Sequence, residues 1–126
     1  MSAPRRLPVV VTRRFERALD AILDHYESLR HLHPDAGSRA LRLIELVEGD
    51  VFRILAAHPD IGRPAQLNLT MSDSERNWLL RLAPLTARRR LQAREWLLED
   101  FWILYYRTTS AVYLASARHE REAEYH

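Results

Sequence analysis

The clearest periodicity in the chain is helical. Phe15, Ala18, Leu19, Ile22, Tyr26 and Leu29 recur every three or four residues, with Glu16, Asp20, Asp24 and Glu27 off the stripe. That is the pattern of an amphipathic helix with one buried face. Thr12 stands just before it with a hydroxyl suited to an N-cap, and Pro34 lies beyond its end. A second stripe, Ala40, Ile44, Val47, Val51, Ile54 and Leu55, is interrupted only by Gly49 and stops at His58-Pro59, with Asp35 or Ser38 placed to cap its start. Two such helices joined by a short loop predict an antiparallel hairpin that lays its apolar faces on a sheet.

A different pattern predicts the sheet. Phe101-Trp102-Ile103-Leu104-Tyr105-Tyr106 is an unbroken apolar and aromatic run. It is short for a helix and reads as a strand covered on both faces. Arg94 to Glu99 precedes it and Ala111 to Ala117 follows the Thr108-Thr109-Ser110 turn, so the last third of the chain reads as a three-stranded antiparallel meander. Leu7 to Val11 reads as a first strand. On the central strand Phe101, Ile103 and Tyr105 share one face and Trp102, Leu104 and Tyr106 the other. Both are apolar, which leaves open the face that lies under the helices. His58 to Pro64 reads as a Pro- and Gly-marked loop. Residues 65–92 form a variable segment, in which Ser72 and Glu75 have capping-box spacing for a short helix from Asp73 to Leu82, ended by Pro84. The expectation is a single α+β domain over residues 1–126, in the order β-α-α-(helical insert)-β-β-β, with the helical hairpin on a mainly antiparallel four-stranded sheet.

Composition narrows the chemistry. A length of 126 residues suffices for one core. The absence of cysteine excludes thiolate chemistry, disulfides and most structural zinc sites, and suits a reducing compartment. No apolar run approaches the ~18 residues of a membrane span. Leu7 to Val11, after Arg5 and Arg6, is shorter than a signal-peptide core. A cytoplasmic protein with no membrane partner is expected. All 19 basic residues are arginine, for a net charge of +2; arginine-favouring codons are one reading, guanidinium recognition of phosphate or carboxylate the other. Arg76, Arg81, Arg88, Arg89, Arg90 and Arg94 form a block without an acidic residue, either a solvated face or a patch for an acidic partner or nucleic acid.

Histidine offers little for metals. His31 and His33 lack the spacing that places two ligands on one helix face, and His25 and His58 fall on helix surfaces or ends. No metal and no cofactor are expected. His119 closes the last strand between Arg118 and Arg121, with Tyr125 in the tail. It is either a locally hydrogen-bonded strand end or a proton-transfer group.

In their order along the chain, the Tyr26 helix, Pro59-x-x-Gly62-Arg63-Pro64, Arg94 at the start of the meander, Tyr105-Tyr106-Arg107 and His119-x-Arg121 resemble the RelE/ParE superfamily of toxins from bacterial type II toxin–antitoxin systems. The resemblance covers about Val10 to Tyr125 and implies a RelE/ParE-like fold. It also implies one of two activities. RelE-like members are ribosome-dependent messenger-RNA endonucleases; ParE-like members bind DNA gyrase and hydrolyse nothing. In the nuclease branch a basic residue at the start of the tail and a tyrosine six positions later are catalytic, which His119 and Tyr125 match, with Arg121 beside them. The same branch has a basic residue on the central strand, where this chain has Trp102, and lysines where it has Arg94 and Glu95. Metal-independent RNA cleavage needs a base, an acid and cations, and arginine supplies only the last. The incomplete set favours the ParE-like activity, with the RelE-like nuclease and an inactive antitoxin-binding member as alternatives. The implied partner is a cognate antitoxin with an acidic, amphipathic C-terminal segment that adds a helix beside the hairpin and a strand to a sheet edge. Contacts to target or antitoxin are expected from Arg63, Arg81, Arg88, Arg89, Arg90, Arg94, Arg107 and Arg118.

Overall fold

The computed structural model describes residues 6–65, 92–122 and 125. The helix expected from Asp73 to Leu82, and with it Arg81, Arg88, Arg89 and Arg90, lies outside these residues. Thr12 starts helix α1 (Arg13–Ser28) as its sequence context predicts: its hydroxyl oxygen accepts the Phe15 N–H at 3.2 Å. The same hydroxyl donates to the Leu114 carbonyl at 2.7 Å, so one buried side chain both begins the helix and ties it to a strand. Phe15, Ala18, Ile22 and Tyr26 are the buried positions of α1.

The second stripe forms one continuous helical rod with a wide turn in its middle. Helix α2 (Ala36–Glu45) runs into a π turn at Leu46–Val51, which continues as α3 (Phe52–Ala57) and stops before Pro59. A π turn takes an extra residue per turn, which changes the phase of the apolar stripe. Leu43, Leu46 and Val47 are buried ahead of or inside the wide turn and Val51 and Leu55 at or beyond its end. Ile44, expected on the buried stripe, is 38 % exposed, and Ile54 is only half-buried.

The sheet has five strands rather than the expected four. β1 (Val9–Val11), β2 (Arg63–Pro64), β3 (Gln92–Leu98), β4 (Phe101–Arg107) and β5 (Val112–His119) lie in the order β1-β5-β4-β3-β2. The added strand is β2, which sets Arg63 opposite Glu95 and Pro64 opposite Arg94. Two residues leave no alternation to read, and proline and glycine nearby signalled a loop. β1 pairs with β5 in parallel; the other neighbours are antiparallel. The turn between β3 and β4 holds Glu99 at φ 53°.

The β4–β5 register slips between Leu104 and Tyr105: Leu104 faces Ser116 and Tyr105 faces Leu114, leaving Ala115 out of the pairing. Such a bulge bends the strand and lets both faces remain packed. Phe101, Ile103 and Tyr105, with Val112, Leu114 and Ala117, lie in the core under the helices. Leu104 and Tyr106, with Ala93, Ala111, Tyr113 and Ala115, form a second buried cluster on the opposite face, where Ala65 and Tyr125 pack. The molecule is thus a mixed α/β fold, a helical hairpin on one face of a five-stranded sheet. Among the described residues no helix is long and apolar enough to cross a membrane.

Candidate functional site

Several residues that carry the family resemblance act first on one another. The Tyr105 hydroxyl donates to the Pro59 carbonyl at 2.8 Å and accepts the Gly62 N–H at 3.0 Å. Arg94 donates to the Gly62 carbonyl through Nε at 3.0 Å and also through Nη2, which reaches the Asp60 carbonyl at 3.1 Å. Arg107 pairs with the Asp60 carboxylate at 2.5 Å. The loop before β2 is therefore clamped to the sheet by one phenol and two guanidinium groups. Burial raises the Tyr105 pKa above its ordinary value, opposed by the Gly62 N–H and Arg94. Arg94 and Arg107, two of the expected partner contacts, are engaged in this clamp.

A second group gathers on the face away from the helices. The Arg63 guanidinium lies 4.3 Å from the centre of the Trp102 ring and that of Arg118 lies 5.6 Å from it. Arg118 also sits 5.0 Å from the Tyr125 ring and donates to the Glu122 carbonyl at 2.6 Å. Below them is Glu95, with only 14 % of its side chain exposed; it receives Arg63 Nε at 2.7 Å and the Tyr125 hydroxyl at 2.9 Å on separate carboxylate oxygens. Burial, then the hydrogen bond to Glu95, pushes the Tyr125 pKa far above the usual phenol range. Tyr125 is accordingly a fixed proton donor in a hydrogen bond rather than a group that exchanges protons near neutrality. The arrangement suits recognition: two cations beside a half-buried indole, one of them anchored by a carboxylate.

The expected trio of His119, Arg121 and Tyr125 is not brought together. His119 pairs with Phe101 in the sheet and packs edge-on against its ring at 5.6 Å, on the helix side. Tyr125 packs on the other side. His119 Nδ1 accepts the Arg121 N–H at 3.2 Å, and the His119 N–H donates to Glu122 Oε1 at 3.0 Å, so the strand end is closed by a local turn. Instead, His119 and Arg121 border a cleft of about 680 Å³ between the end of β5 and the tip of the helical hairpin. Among the described residues no group of three or more His, Cys, Asp or Glu is placed to hold a metal ion.

The reading of the sequence missed Glu95 as a member of this site and left Trp102 undecided, yet a signal existed for both. A two-residue turn at Glu99-Asp100 sets Leu97 opposite Trp102 and Glu95 opposite Leu104, and this register places all four on one face. Arg63 and Tyr125, both expected among the site residues, are brought to it by the two-residue strand β2 and by the returning tail. Against known proteins, no family model and no curated protein matches the chain.

Proposed function

We propose that this chain is the toxin of a type II toxin–antitoxin module, of ParE-like type, which inhibits growth by binding DNA gyrase and is neutralised by a cognate antitoxin. The observation that carries the reading is the Arg63–Trp102–Arg118 cluster: tryptophan and arginine are the side chains most enriched at the energetic centres of protein interfaces. The separation of His119 from Tyr125 by the sheet supports a non-hydrolytic activity. Antitoxin capture is supported by the outer edge of β3, where among the described residues β2 pairs with Arg94 and Glu95, the Ala65 N–H reaches the Ala93 carbonyl, and Leu97 is 43 % exposed. An added strand would extend the sheet at that edge, beside Leu97.

The test is induction in cells, with DNA supercoiling and bulk messenger RNA followed together. The expected result is loss of gyrase activity with early transcripts intact, abolished by Trp102→Ala. Prompt transcript cleavage on translating ribosomes overturns the reading.

A second reading, a RelE-like metal-independent RNA endonuclease, is favoured by one observation. Glu95 is a shielded carboxylate with Arg63 and Tyr125 on its oxygens, so it replaces His119 as the candidate base for the ribose hydroxyl, with Arg63 and Arg118 as phosphate contacts. Glu95→Gln then abolishes RNA cleavage. Unchanged cleavage in that variant removes this reading.

A further inference from the structure

The cleft beside His119 combines an apolar floor with a charged rim. Its floor includes Ile22, Leu29 and Tyr26, residues of the helical core that show one edge. Its rim carries Arg39 and Arg121, both exposed and neither in an ion pair among the described residues. Three imidazoles, His25, His33 and His119, stand with them. Because His119 Nδ1 accepts the Arg121 N–H, the neutral ring carries its proton on Nε2, a further donor. Asp35 at the start of α2, whose carboxylate makes no capping bond, and Glu122, whose Oε1 receives the His119 N–H, add acceptors on the same rim.

Each part selects a different portion of a ligand. Two guanidinium groups and the imidazoles provide more donors than the two oxygens of a carboxylate accept, and suit the three terminal oxygens of a phosphate monoester. Asp35 suits a sugar hydroxyl, and the apolar floor suits a ring. The volume of about 680 Å³ lies within the ~300–1,000 Å³ range of small-molecule pockets and far exceeds what a bare phosphate fills. From these features we infer that the cleft binds a small organic phosphate of nucleoside monophosphate type. The site stands on the opposite face of the sheet from the Arg63–Trp102–Arg118 cluster, so its failure leaves the functional reading above intact.

Calorimetric titration of the full chain with adenosine 5′-monophosphate, with inorganic phosphate and with adenosine tests the assignment. The expected result is saturable binding of the monophosphate, weakened about tenfold or more for phosphate alone and for adenosine alone, and by a similar factor in the Arg39→Ala/Arg121→Ala double variant. Both replaced side chains are exposed, and an unchanged circular dichroism spectrum shows that the variant has folded. No binding of the monophosphate at millimolar concentration, or equal binding by the double variant, overturns the proposal. So does phosphate binding as tightly as the nucleotide, which marks an anion patch only.

Discussion

Gly62 and Gly49 look alike in the sequence and differ in what surrounds them. A Cβ on Gly62 would lie 2.6 Å from the Glu95 backbone oxygen, which cannot yield without moving β3. A Cβ on Gly49 meets nothing within 4 Å. Gly62→Ala is expected to destabilise the protein by about 1–3 kcal/mol through overpacking. Gly49→Ala, inside the helical rod at negative φ, is expected to stabilise it by about 0.5–1 kcal/mol. Urea unfolding of the two variants checks the opposite signs. Tyr105 offers a second test. Tyr105→Phe strands the Gly62 N–H and the Pro59 carbonyl and is expected to cost about 1–3 kcal/mol at pH 7. Its phenol pKa is higher in the folded chain than in the unfolded one, so the neutral form is the one that folding favours. That contribution is complete below about pH 10 and is lost as pH rises through the folded value. Unfolding curves of wild type and Tyr105→Phe should therefore converge as the pH is raised beyond 10; a constant gap would contradict the assignment.

Secondary-structure elements were legible where a long stripe announced them. The six apolar positions of α1 and the hydroxyl of Thr12 placed that helix to within a residue or two, because a cap and a 3.6-residue period are local properties. Thr12→Ala removes the cap and the bond to Leu114 together. It is expected to lower stability by about 1–2 kcal/mol, with Thr12→Ser retaining most of it; equal losses in both variants would show that the methyl group, not the hydroxyl, matters. The second helix shows where local reading stops. Its existence was plain, and Val47, Val51 and Leu55 are buried as the stripe predicts, but Leu43 and Leu46 take the buried places ahead of them while Ile44 and Ile54 turn outward, because the π turn changes the phase of the helix. β2 was invisible for a related reason. Two residues become a strand only because Tyr105, Arg94 and Arg107 draw the preceding loop onto β3.

In the whole molecule, the sheet separates two chemistries that lie six residues apart in the tail. His119 and Arg121 turn toward the helical hairpin while Tyr125 returns to the opposite face, meeting Glu95 and Arg118. The β3 edge provides a test at this level that rests on the proposed toxin reading. Leu97→Lys places a charge on an exposed edge position, so it is expected to change stability by less than about 0.5 kcal/mol while abolishing antitoxin capture in a pull-down with the neighbouring gene product. Retained capture would exclude that edge as the docking strand. By itself the sequence determined the helical hairpin, the three-stranded meander and the absence of thiol chemistry, all of which follow from local periodicity or from residue type. The tertiary structure alone decided that Phe101, Ile103 and Tyr105 face the helices, that Arg94 and Arg107 clamp a loop, and that Arg63 and Arg118 share Trp102. The physical reason is one of range. Capping and amphipathicity are set by neighbours a few residues apart, whereas which face of an apolar strand is covered, and which charge meets which ring, depends on pairings between residues distant in the sequence that only the packed sheet brings about.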